Sequence, residues 1–137
     1  MSTQKDMITA FYERMWNALD KSLVPELMLE DVTYRTLIGD VVAGRDDYAG
    51  YMDKVAGPFA DFRAEVLDMI EEGDRIAAKL RFKATHAGDF LGYAPTGKEL
   101  EWEGSTHFTF RDGKISDIWV LGDIFTLEQK LKANGSS

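Results

Sequence analysis

From Ile76 to His86 the chain alternates without a break: Ile76, Ala78, Leu80, Phe82, Ala84 and His86 fall on one side, and Ala77, Lys79, Arg81, Lys83 and Thr85 on the other. Successive side chains of a strand point to opposite faces, so this segment is a strand with one apolar face and one mainly basic face. A second long alternation follows, with Leu100, Trp102, Gly104, Thr106, Phe108 and Phe110 set against Glu99, Glu101, Glu103, Ser105, His107 and Thr109. Laid antiparallel, the basic row of the first meets the acidic row of the second, at about 0.2–1 kcal/mol per cross-strand pair. Glu72-Gly73-Asp74 turns into the first of these strands from one beginning near Phe62, and Asp112-Gly113 turns out of the second into Ile115–Leu121. The result is a meander of long strands that must bury one face.

The cover for that face lies upstream. Met7, Ile8, Phe11, Tyr12, Met15, Trp16 and Leu19 recur at helical spacing between Asp6 and Leu19, with Thr3 and Asp6 in capping-box positions. A short helix is expected from Ser22, with Pro25 in its first turn, then a strand over Val32–Leu37 and a loop between Gly39 and Gly44. Tyr48, Tyr51, Met52 and Val55 mark a third helix that Gly57-Pro58 ends, and Ile124–Leu131 forms a last one. Helices first and strands afterwards mean an α+β domain. A twisted sheet with helices laid across it encloses a cone, and a cone is a ready pocket. One domain over residues 1–133 is expected, followed by a loose tail over 134–137.

With a net charge of −8 and acidic and basic residues intermixed, the chain offers no continuous basic surface for phosphates, and nucleic acid is not an expected partner. No apolar run of membrane-spanning length occurs and no secretory leader is evident, so the expectation is a cytoplasmic protein without a membrane partner. The absence of cysteine excludes disulfides, thiolate nucleophiles and cysteine-held metal clusters. Two widely separated histidines give no support to a metal site, and neither Gly-x-Gly-x-x-Gly, a Walker-type loop nor Gly-x-Ser-x-Gly is present. No cofactor is expected.

Several residues are candidates for chemistry. His86 shares the apolar parity of its strand and should face the covered side, either as a core histidine satisfied by a carbonyl or as a donor to a ligand carbonyl. Asp123 shares parity with Trp119 if no bulge intervenes; it is either the cap of the last helix or a carboxylate among aromatic walls, where desolvation raises its pKa. Tyr12, Trp16, Tyr51, Phe90, Trp102, Phe108 and Trp119 line the pocket or fill the core. Asp46-Asp47 and Glu71-Glu72 read as solvated caps and turns, and His107 falls on the acidic, outward parity. Ile118 and Val120, opposite Trp119 and Leu121, make the last strand apolar on both sides, so the outer sheet face is expected to meet a second copy in a two-fold dimer.

The stretches "ATHAGDFLGYAPTGKELEWEG" and "FTFRDGKISDIWVLGD" resemble the SnoaL-like polyketide cyclases of the nuclear transport factor 2-like superfamily. Thr85-His86-x-Gly88, Phe90-x-Gly92, Pro95-Thr96-Gly97, Trp102, Asp112-Gly113-Lys114-Ile115 and Trp119-x-x-x-Asp123 stand in order, with weaker likeness upstream at Gly44-Arg45 and "EEGDRIAAKLRF". The resemblance implies a cone-shaped α+β barrel with helices on a strongly curved, mostly antiparallel sheet. It also implies a cofactor-free acid/base enzyme that closes a ring by intramolecular aldol chemistry in an apolar or aromatic, carbonyl-bearing molecule. Asp123 would be its general acid/base, with His86 on the motif histidine contacting substrate oxygens. Other readings of the same fold are a non-catalytic binding module, or an isomerase, dehydratase or epoxide hydrolase. Epoxide opening wants a pocket arginine, for which Arg35 is the candidate, Arg14 lying on the polar side of its helix.

Overall fold

The computed structural model describes residues 3–36 and 39–135. Six strands, β1 (Met28–Arg35), β2 (Val41–Ala43), β3 (Phe59–Glu72), β4 (Arg75–His86), β5 (Glu99–Arg111) and β6 (Lys114–Gly122), form one sheet in the order β2-β1-β6-β5-β4-β3. All neighbours are antiparallel except β1 and β6. The sheet is curved and unclosed, with β2 and β3 as its free edges. Helices α1 (Thr3–Ala10), α2 (Val24–Leu27) and α3 (Tyr48–Ala56) precede the long strands, and α4 (Ile124–Gly135) ends the fold.

The register of β4 on β5 pairs Arg81 with Glu103 and Lys83 with Glu101, so the two charged rows meet as their alternation predicts. Arg81 stands between two carboxylates, 3.2 Å from Glu101 and 3.7 Å from Glu103. The opposite face of both strands is buried, from Ile76 through His86 and from Leu100 through Phe110. Asp112 and Gly113 turn β5 into β6 with φ of 54° and 79°, the left-handed pair that a two-residue hairpin requires. At Gly104 the strands approach closely, since a Cβ there would stand 2.8 Å from both the Leu121 carbonyl oxygen and the Phe82 ring. Only glycine fits that position.

Three features depart from the sequence pattern. The expected continuous helix from Asp6 to Leu19 changes after Ala10 into a π-helical turn, Phe11–Trp16, closed by Asn17 N–H donating to the Tyr12 carbonyl at 2.8 Å. The wider turn buries Phe11, Tyr12, Met15 and Trp16 together, and such turns recur at functional sites. Asn17 then bonds both backbone groups of Ala64 on β3, at 3.0 and 2.8 Å. The loop expected between Gly39 and Gly44 contains the short edge strand β2, and the strand expected to end at Leu37 reaches Arg35, Leu37 lying outside the described residues.

The third departure decides the site. Phe110 pairs with Ile115 but Thr109 pairs with Asp117, so Ser116 is an extra residue in β6. A bulge of this kind reverses which face the following side chains take. Ile118 and Val120 therefore turn inward, while Trp119 and Leu121 are exposed at 41% and 49%. The sequence expectation had these pairs the other way round. Of the tail expected at 134–137, residues 134 and 135 continue α4, and Ser136 and Ser137 lie outside the described residues. Among the described residues no helix is long and apolar enough to cross a membrane.

Candidate functional site

Between the π-helical turn, α3 and the inner face of the sheet lies an apolar cavity, open at one end. Phe11, Tyr12 and Trp16 come from the turn, Tyr34 from β1, and Tyr48 and Tyr51 from α3; Phe62, Phe82, Trp102, Thr106, Ile118 and Val120 come from the long strands. Counting the space at its mouth it measures about 520 Å³, yet the free interior is only about 40 Å³. At roughly 10–15 Å³ per water centre, that interior holds a few waters at most. The rings themselves fill most of the cone. Tyr34, Tyr51 and Val55 also border a wider cleft of about 760 Å³, whose other walls include Asp40, Asp46, Asp47, Lys54 and Phe90. A ligand larger than a few atoms must therefore lie in the cleft and present one end to the cavity.

The polar groups in the cavity wall are mostly neutral donors. The Tyr12 hydroxyl donates to Thr106 Oγ1 at 2.8 Å, and the Trp16 indole N–H donates to the Tyr48 hydroxyl at 3.2 Å. Burial raises the Tyr12 and Tyr48 phenols far above their ordinary range, outweighing their hydrogen bonds with Thr106 and Trp16. Burial, then the nearby Asp47 carboxylate, also raises Tyr34. These phenols stay protonated, so they can polarise an oxygen but cannot act as bases near neutral pH. The Thr106 hydroxyl, having accepted from Tyr12, keeps its own proton to donate.

Arg35, the arginine suggested for epoxide opening, reaches the cavity wall but donates through Nη1 to the Val120 carbonyl at 2.7 Å and lies over the Trp119 ring at 5.4 Å. Arg14 is exposed. The guanidinium is thus committed to the rim of β6.

The other candidates are spread over the fold. Tyr12, Trp16, Tyr51 and Trp102 meet in the cavity wall, and Phe90 borders the adjoining cleft. Phe108 is buried behind that wall, edge-on to Phe11 at 5.2 Å. Trp119 is corrected to the outer face, edge-on to His107 at 5.5 Å, because of the Ser116 bulge. His86 does face the covered side and is fully buried, but it does not line the cavity, and neither ring nitrogen has a hydrogen-bond partner.

Asp123 is exposed and outside the cavity wall. Its Oδ1 accepts the Thr126 amide at 3.0 Å, the arrangement of a helix N-cap. Bonds from the Thr126 side chain and amide lower its pKa, with a lesser contribution from Lys130. A dry carboxylate with a raised pKa is therefore not what the structure places here. Its distance from the cavity is nevertheless short in sequence: Val120, three residues earlier on β6, is part of the wall.

Tyr34, Tyr48 and Thr106 were not singled out from sequence, although each had a usable signal. Thr106 shares parity with Trp102 and Phe108, Tyr34 shares it with Val32, and Tyr48 opens the α3 periodicity. Among the described residues no group of three or more His, Asp or Glu side chains is placed to hold a metal ion.

The profile of the SnoaL-like polyketide cyclase family matches residues 6–131. IdmH from Streptomyces antibioticus, assigned provisionally as a polyketide cyclase, is 27% identical over 96% of this chain and 99% of its own, with a TM-score of 0.84. A provisionally assigned SnoaL-like polyketide cyclase from Jannaschia sp. CCS1 superimposes with a TM-score of 0.86 at 20% identity, over 95% of this chain and 92% of that one. A protein with a ketosteroid isomerase-like fold from Catenulispora acidiphila, solved with trimethylamine, gives 0.77 at 14% identity over 93% and 92%. No curated protein matches the sequence. The latter two likenesses speak for the fold, which is the nuclear transport factor 2-like α+β fold.

Proposed function

The chain belongs to the SnoaL-like polyketide cyclase family, and from that premise we propose that it closes a ring in an apolar, carbonyl-bearing small molecule by cofactor-free acid/base chemistry. The observation that carries this reading is the aromatic cavity whose polar groups are protonated hydroxyls. The body of the ligand lies in the cleft, and one carbonyl enters the cavity to meet the Tyr12–Thr106 pair. Neutral O–H donors in a water-poor site stabilise negative charge developing on that oxygen. Asp123, which follows β6 and lines neither the cavity nor the cleft, is assigned the base from its place in the family motif, and takes a proton from a carbon between two carbonyls. The carbanion attacks a further carbonyl elsewhere in the same molecule, forming the new carbon–carbon bond and closing the ring, and the proton returns to the resulting alkoxide. Holding both reacting carbons in one narrow space supplies much of the rate.

Thr106→Val keeps the shape of the side chain and removes the hydroxyl whose proton is left free to donate. On a 1,3-dicarbonyl aromatic ester it is expected to slow ring closure by about 10²–10³-fold, the loss of one oxyanion donor. An unchanged rate takes the cavity out of the chemistry.

A second reading, a binding module whose cavity is occupied but inert, is favoured by the capping role of Asp123. The two readings separate on the Asp123 variants treated in the Discussion.

The outer sheet face, with Trp119, Leu121 and Ile70 exposed, is the surface we assign to a second copy of the chain. Its apolar residues differ from those expected, for the reason given by the bulge. Light scattering is expected to report twice the chain mass, and a Trp119→Glu variant a single one; a monomeric wild-type protein at high concentration contradicts the assignment.

A further inference from the structure

Trp102 is 2% exposed and its indole forms part of the cavity wall, packed against Phe82 at 5.4 Å and Phe59 at 5.6 Å between ring centroids. Its Nε1 is buried and has no hydrogen-bond partner in the protein. A buried N–H without an acceptor is costly, and native structures rarely leave one without a reason. The neighbouring donors in the same wall are treated differently: Trp16 reaches Tyr48 and Tyr12 reaches Thr106. An indole nitrogen can only donate, so the group that answers it must be an acceptor, and the apolar rings around it favour a neutral one.

We infer that the Trp102 indole N–H is the anchor for a ligand carbonyl oxygen, making Trp102 the residue that selects ketones over hydrocarbons of the same shape. This deepens the reading above and rests on the cavity being the ligand site. The anchor is separate from the Tyr12–Thr106 pair, Trp102 and Thr106 being buried four residues apart on β5. Trp102 acts as a positioning residue through binding, and it moves no proton.

The test uses acetophenone and α-methylstyrene, which share a shape but differ in carrying C=O or C=CH2. For the wild-type protein, calorimetry is expected to show acetophenone binding about 2- to 10-fold more tightly, the ratio one neutral hydrogen bond supplies. In a ¹⁵N–¹H spectrum the Trp102 indole proton should move downfield with acetophenone alone. Trp102→Phe, which keeps an aromatic ring in the wall, should bring the affinity ratio to one.

Equal binding of both compounds with an unmoved Trp102 proton overturns the anchor and leaves the cavity as a ligand site. Binding of neither compound overturns the cavity reading and the anchor with it. The wild-type indole shift decides the matter even if the variant does not fold.

Discussion

Asp123→Asn should leave the melting temperature unchanged and reduce ring closure by about 10²–10⁴-fold, the range ascribed to a positioned general acid or base, whereas Asp123→Ala should lower both. The pair works because asparagine caps a helix about as well as aspartate, and alanine does not. The Thr126 amide that now donates to Oδ1 would keep a partner in the first variant and lose it in the second. A loss of activity that appears only with Ala belongs to the helix; one that appears with Asn belongs to the charge. Melting curves and initial rates on the same preparations separate the two. Full activity in Asp123→Asn would remove this carboxylate from the mechanism and leave the binding-module reading standing.

The pH dependence follows from the direction of the shift. Thr126 holds the folded-state pKa of Asp123 below its ordinary value, so the stability it contributes is present in full above the unfolded value and is lost as pH falls through the folded one. Wild type should therefore lose stability in acid by a step that Asp123→Asn lacks. The same lowering makes Asp123 a weaker base than a desolvated carboxylate, so chemistry at this position relies on an acidic substrate carbon and on the donors in the cavity.

Where the sequence pattern was strictly periodic, it carried through to side-chain placement. Ile76 to His86 and Glu99 to Phe110 fixed two strands, their buried faces and the contact of Arg81 with Glu101 and Glu103. The last strand was misread because Ile118 to Leu121 is apolar at every position, so neither face is marked. The signal lay upstream: Ile115 and Ile118 are separated by the polar pair Ser116-Asp117, a spacing of three that strict alternation forbids and one inserted residue explains. Asp117, beyond that insertion, takes a hydrogen bond from the Thr33 hydroxyl of β1. The π-helical turn left no such trace, since Phe11, Tyr12, Met15 and Trp16 suit a 3.6-residue period equally well. His86 was placed on the right face, but period two says nothing about where along that face a cavity opens.

Phe11→Ala should cost about 3–5 kcal/mol of stability, the range for removing a fully buried phenyl ring. Phe11 is 1% exposed and stands edge-on to Tyr12 at 4.9 Å and to Phe108 at 5.2 Å, so the truncation takes a ring contact from both. Because Phe11 lines the cavity, the space it vacates adds to a free interior of about 40 Å³ that otherwise admits little. Stability and binding should then move in opposite directions. Urea unfolding is expected to show the loss, while calorimetry shows a two-ring ketone such as 1-tetralone binding more tightly to Phe11→Ala than to wild type. The substitution thus tests whether the aromatic filling of the cone limits what the site accepts. Weaker binding of the larger ketone by the folded variant would mean that Phe11 is itself part of the recognition surface, and the cavity would then be sized by the wild-type rings for a ligand no larger than one ring and its carbonyl.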